Sequence, residues 1–93
     1  MEIFKVHVPR SVERELEKIP QYIVLKLIGW IEDVGRIGLS EVRKVPGYHD
    51  EPLKGQRRGQ RSIRLSRSYR AIYVIEEEKI IQIKIVEVNK HEY

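Results

Sequence analysis

The chain has 93 residues, 41% of them hydrophobic, with 18 Lys+Arg against 14 Asp+Glu and a formal net charge of +4. That length suits a single domain over residues 1–93, with a core near the lower end of what folds alone and no room for a large cofactor cradle. Cysteine is absent, which excludes a disulfide framework and thiolate metal sites and fits a reducing cytoplasm. The opening MEIFKVHVPRSVEREL lacks the apolar run of a signal peptide. The most apolar clusters, 22–31 and 80–88, contain Lys26, Gly29, Gln82 and Lys84, so neither is expected to span a membrane.

Taken in order, residues 2–8 alternate, with Ile3, Lys5 and His7 on one side and Phe4, Val6 and Val8 on the other, the period of a strand. Pro9 ends it, and Ser11 is a candidate N-cap with Glu13 and Glu15 following in the first turn. Val12, Leu16 and Ile19 form an apolar stripe at helical spacing up to Pro20. A second helix is predicted from about Gln21 to Arg36. Tyr22, Ile23, Leu27, Trp30, Ile31 and Val34 cover a wide arc, and Gly35 and Gly38 mark its end. The two helices read as an antiparallel hairpin whose aromatic residues belong to the core. Within 39–50, Glu41–Val45 suits either a short helical turn or an edge segment, and Pro46-Gly47 signals a turn.

Three strands are expected to close the chain: Gln60–Ser66, Tyr69–Ile75 after a tight turn at Ser66–Ser68, and Lys79–Val88. Glu76, Glu77 and Glu78 read as a hairpin tip. The last strand is apolar on both sides, with Ile81, Ile83 and Ile85 on one face and Ile80, Val86 and Val88 on the other, which predicts an interior position. The order is strand, helical hairpin, then antiparallel strands (β-α-α-β-β-β). The expected architecture is an α+β two-layer domain, with one mainly antiparallel sheet and the helices packed on one face.

Charge is unevenly placed. Residues 1–50 hold 8 Lys+Arg and 8 Asp+Glu, whereas residues 51–93 hold 10 and 6, so the whole positive excess lies in the second half. Between Glu51 and Arg70 stand seven cations: Lys54, Arg57, Arg58, Arg61, Arg64, Arg67 and Arg70. Arginine, with its planar fork, suits phosphate. A solvated basic face is the plain alternative. However, Ile63 and Leu65 alternate with Ser62, Arg64 and Ser66, which threads the cations through a half-buried strand rather than a loose tail. A surface for a polyanion such as nucleic acid follows.

No metal site is expected, because the three histidines are far apart and there is no cysteine. Gly55 and Gly59 lack the Lys-Ser/Thr of a phosphate-binding Walker loop. Tyr69 and Tyr73 alternate inward with Ala71 and Ile75 and read as core, not as base-stacking platforms. His7 reads as structural or solvated, and His49 beside Asp50 as surface. The terminal Asn89-Lys90-His91-Glu92-Tyr93 offers an acid, a base and a phenol, or else a frayed end. If the chain is an enzyme, RNA cleavage is the metal-free chemistry that fits best, since RNA supplies its own nucleophile, the 2′-hydroxyl. The protein then needs a base, an acid and cations on the phosphate. Glu51, His91 or Tyr93, and Arg64 or Arg70 fill those roles.

The string EPLKGQRRGQRSIRLSRSYRAIYVI and the closing EVNKHEY resemble the RelE/ParE superfamily of type II toxin–antitoxin toxins, on the YoeB/YafQ/HigB side. The resemblance extends over nearly the whole chain. It implies a ribosome-dependent mRNA endoribonuclease that works in the ribosomal A site without a cofactor. It implies Glu51 as base, Arg64 and Arg70 on the scissile phosphate, His91 as acid and Tyr93 aligning base or phosphate. Lys54, Arg57, Arg58, Arg61 and Arg67 carry over as contacts to mRNA and ribosomal RNA. The implied protein partner is a cognate antitoxin, disordered alone and acidic where it lies on the basic groove. The runner-up function is a ParE-like inhibitor of DNA gyrase without catalytic activity, and a third is a binding module that does not cleave.

Overall fold

The computed structural model describes residues 4–77 and 81–90. The first strand, β1 (Phe4–His7), leads into two helices, α1 (Arg10–Leu16) and α2 (Gln21–Ile37). A single helical turn, α3 (Leu39–Val42), and a 3₁₀ turn at Pro46–Tyr48 follow. Then come β2 (Glu51–Pro52), a 3₁₀ turn at Gly55–Arg57, β3 (Gln60–Arg64), β4 (Tyr69–Glu77) and β5 (Ile81–Lys90). The five strands form one sheet in the order β1-β5-β4-β3-β2. Only the β1–β5 pair is parallel, because the helices carry the chain across the sheet between them.

The expected α+β two-layer architecture is therefore present, with β5 interior between β1 and β4. Several local expectations are corrected. Ser11 is not the N-cap of α1; the helix starts at Arg10 with Pro9 in the cap position, where the missing amide costs nothing. Gly35 lies inside α2. The helix ends at Gly38, whose φ of 86° no β-carbon favours and whose amide donates to the Val34 carbonyl at 3.0 Å. The segment after α2 takes both helical forms, first α3 and then the 3₁₀ turn, burying Leu39, Val42 and Tyr48. Glu76 and Glu77 continue β4 instead of forming a tip. The sheet also gains β2, a fifth strand too short to carry an alternating pattern.

The core lies between α2 and the sheet. Ile23, Leu27, Trp30 and Val34 share one face of the helix and meet Ile63, Ala71, Tyr73, Ile85 and Val88. Trp30 and Tyr73 pack as a tilted pair, ring centroids 5.0 Å apart. Each fully buried side chain of this size stabilises the fold by about 1.5–3 kcal/mol relative to exposure. Ile85 and Val88 are both buried although the alternation places them on opposite faces. The register explains this: Ile72 pairs with Glu87 while Tyr73 pairs with Ile85, so Val86 is an extra residue that resets the phase of β5.

That register also sorts the basic stretch between two faces. Row by row, Arg61–Tyr73–Ile85 and Ile63–Ala71–Val88 lie on the helix-covered side. Glu51–Ser62–Ile72–Glu87 and Arg64–Arg70–Asn89 lie on the opposite, open side.

Candidate functional site

The open face holds a concavity of about 280 Å³ lined by Glu51, Leu53, Arg57, Ser62, Arg70, Ile72 and Asn89. Each wall has a local cause. The turn between β3 and β4 is closed by Leu65 and Ser66 amides on the Tyr69 carbonyl, and Ser66 Oγ accepts from the Ser68 and Tyr69 amides at 3.1 and 3.2 Å. This turn sets the register that puts Arg70 beside Ser62 and Glu51. Gly59, with φ at 97°, lets the basic loop fold back so that the Leu53 amide reaches the Gln60 carbonyl at 2.9 Å and β2 is held against β3.

Arg70 is the centre of the site. One of its terminal nitrogens donates both to Glu51 Oε1 at 3.1 Å and to Ser62 Oγ at 3.0 Å. Its side chain is 19% exposed, whereas that of Glu51 is 58% exposed. A carboxylate so open to water gives an ion pair worth about 0–1 kcal/mol, so an incoming phosphate can take over the guanidinium at little cost. Arg57 stands at the rim, paired with Glu87 and donating to Gln60 Oε1 at 3.0 Å. Arg64 sits directly across from Arg70 in the ladder. Like charges opposite one another on one face are destabilising, so this pair costs the sheet stability.

The other candidate residues are distributed as follows. Lys54, Arg58 and Arg67 are exposed, in the β2–β3 loop and the β3–β4 turn. Arg61 lies on the helix-covered face, where its Nε donates to Asp50 Oδ1 at 2.6 Å. Its place there departs from the expectation of a basic run presented as one surface. The reason is the strand period, which gives Arg61 the phase of Ile63. His91 and Tyr93 lie outside the described residues. Asn89, in the concavity, stands across from Arg70, and Lys90 stands across from Tyr69. His7 and His49 are exposed, and neither lines the concavity. Among the described residues no three His, Cys, Asp or Glu side chains converge to hold a metal ion.

Sequence reasoning missed a second, buried constellation. The Asp50 carboxylate is fully buried, ion-paired with Arg61 and accepting a hydrogen bond from the Tyr73 hydroxyl. Burial, and then the hydrogen bond to Asp50, push the Tyr73 phenol up to about 12. Arg43 works the other way, lowering the Tyr73 phenol. Burial alone would lower the Arg61 guanidinium, but the hydrogen bond and charge of Asp50 outweigh it and raise it. A readable signal existed: Asp50 and Glu51 are adjacent in an extended segment, so an outward Glu51 requires an inward Asp50, and an inward carboxylate requires a cation.

With the geometry in place, the chain can be set beside solved structures. A YoeB/ParE toxin from Agrobacterium tumefaciens superposes with a TM-score of 0.69 at 20% identity, covering 95% of this chain and 99% of that one. The RelBE2 toxin–antitoxin complex from Mycobacterium tuberculosis gives 0.68 at 21%, covering 96% and 99%. The YoeB–YefM complex from Staphylococcus aureus gives 0.68 at 18%, covering 97% and 98%. This chain has the RelE/ParE-type fold. The match covers 98–99% of the matched chain in each case. No family model and no curated protein matches the chain by sequence. Among the described residues no helix is long and apolar enough to cross a membrane.

Proposed function

We propose that this protein is the toxin of a type II toxin–antitoxin system and that it cleaves mRNA on the ribosome. The observation that carries the reading is Arg70, held between Glu51 and Ser62 in the concavity of the open face, on a fold shared with such toxins. The Glu51 carboxylate takes the proton of the ribose 2′-hydroxyl, and the oxygen attacks the adjacent phosphorus. The bond from phosphorus to the 5′ oxygen breaks, leaving a 2′,3′-cyclic phosphate and a 5′-hydroxyl. His91 gives the leaving oxygen its proton, and Tyr93 aligns base or phosphate. Asn89 lines the concavity, and His91 follows it by two residues in sequence. Arg70 and Arg64 face the charge that builds on the phosphoryl oxygens, where a fixed cation counts most. Arg57, Lys54, Arg58 and Arg67 bind mRNA and ribosomal RNA around the A site, and Arg61 contributes through β3.

The partner is a cognate antitoxin with an acidic segment that orders on the basic face. Two of the matched structures are toxin–antitoxin complexes, which supports this assignment. The working compartment is the cytoplasm, where translating ribosomes are.

The test is expression of wild type, Arg70→Ala and His91→Ala in a bacterium, with mapping of mRNA 5′ ends. New ends within codons, dependent on translation and lost in both variants, are the expected result. Growth arrest with intact mRNA and damaged DNA would overturn the reading in favour of gyrase inhibition.

A further inference from the structure

The two constellations, buried and open, meet at one peptide bond. Asp50 and Glu51 are neighbours, and their side chains meet partners on opposite faces, Asp50 with Arg61 and Glu51 with Arg70. Just before them, His49 has φ 45° and ψ 49°, a left-handed conformation uncommon for a residue with a β-carbon. The chain accepts it on leaving the 3₁₀ turn, and it delivers Asp50 to the interior. There, Arg61 and Tyr73 fix the carboxylate from two strands, and Tyr73 is wedged against Trp30. By contrast, β2 is two residues long and paired on one side only, so its ladder alone holds it weakly.

We infer that Asp50 is a positioning residue, whose buried carboxylate anchors β2 to β3 and β4 and thereby aims Glu51 at Arg70. This rests on the reading of Glu51 as the base. The anchor is stiff where the site is soft. The Asp50 carboxylate has no contact with water, whereas the Glu51–Arg70 pair is open enough for substrate to rearrange. A general base must stand within hydrogen-bond reach of the proton it takes, and a displacement of about 1 Å costs about a hundredfold in rate. A carboxylate on a two-residue edge strand needs a second fixed point, and the adjacent residue supplies it.

The test uses the full-length protein and Tyr73→Phe, which removes one hydroxyl from Asp50 and leaves the ring packing intact. Asp50→Asn, which keeps shape and loses charge, is the second variant. Val34→Ala, in the core of α2, is the control for general loss of stability. The first readout is hydrogen exchange of the Leu53 amide, which reports the attachment of β2 to β3. Both variants should raise it about tenfold or more above the control. The second readout is cleavage of ribosome-bound mRNA. Tyr73→Phe should lower kcat about tenfold at unchanged KM, because Arg70 still holds the phosphate. In a Glu51→Gln background the same change should cost nothing further, since the anchor acts only through Glu51.

Exchange at Leu53 no faster than in the control would overturn the inference whatever the activity. Full loss of rate from Tyr73→Phe persisting in the Glu51→Gln background would overturn it too, because the anchor would then act on something other than Glu51. Faster exchange together with wild-type cleavage by Glu51→Gln would keep the anchor and remove Glu51 from the chemistry, which overturns the proposed function instead.

Discussion

Two arginines on this sheet each hold a carboxylate, and the carboxylates are consecutive in sequence. Arg61 pairs with Asp50 under the helices, where the carboxylate is fully buried, and Arg70 pairs with Glu51 on the open face, where it is mostly exposed. The chemistry of the two pairs is the same, and only the face differs. Under the helices the Asp50 carboxylate cannot be hydrated, so it depends on Arg61, and the pair is part of the structure. On the open face water can replace either partner, so the pair is free to be exchanged for a phosphate. The position of a charge relative to the helix layer, rather than its identity, separates scaffold from site.

Four experiments break or sharpen this contrast. The largest effect is expected from Asp50→Ala, which leaves Arg61 and the Tyr73 hydroxyl without their acceptor in the interior. Urea denaturation should show a loss of about 3–5 kcal/mol, and a loss under 1 kcal/mol would mean the buried pair is not structural. Arg70→Ala should reverse the pattern. Its stability should fall by only about 1 kcal/mol, from the unpaired Ser62 hydroxyl, while cleavage of ribosome-bound mRNA falls about 10²–10³-fold. Undiminished cleavage would remove Arg70 from the site.

The third experiment concerns alkaline pH. Tyr73 is pushed up to about 12 from an ordinary phenol value of 10, so in the folded state it keeps its proton where the unfolded chain releases it. Its stabilising contribution is complete below about pH 10 and is lost as pH rises towards 12. Tyr73 should contribute a fall of about 2–3 kcal/mol to a pH titration of stability over that window, and Tyr73→Phe should remove that part of it. Tyr48, likewise raised to about 12 by burial and by its hydrogen bond to Asp33, accounts for the slope that remains in that variant. The smallest effect is a gain. Arg64→Ala removes the like charge opposite Arg70 and should raise stability by about 0.2–1 kcal/mol while weakening the protein's binding to ribosomes. A destabilised variant would show that Arg64 contributes more by packing than it costs by repulsion.

Much of the fold was legible because its elements are long enough to repeat. The stripe Ile23, Leu27, Trp30, Val34 on α2 and the inward Ala71 and Tyr73 on β4 are buried as the periods require, whereas Tyr22, which the helical arc placed in the core, is 67% exposed at the first turn of α2. What failed to show is short or shifted. With two residues, β2 has no period to read. The extra residue at Val86 inverts the phase of β5 partway along, which places Ile85 and Val88 in one core against a strict alternation. The site was half legible for the same reasons. Glu51, Arg64 and Arg70 were singled out by residue type and, for the two arginines, by the strand they stand on, and the structure brings Glu51 and Arg70 into contact. Ser62 and Asn89 carry no chemical signature in a sequence, and they join the site only because β3, β4 and β5 are neighbours.

The sequence by itself determined the layer arrangement, the cationic stretch and the alternation of Arg64 with Ile63 and Leu65, since these follow from local periods of 3.6 and 2 residues. Only the tertiary structure decided which carboxylate each arginine meets. Arg61 finds Asp50 and Arg70 finds Glu51 across 11 and 19 residues of chain. Strand register and the position of the helix layer set those pairings, and both are properties of contacts far apart in sequence.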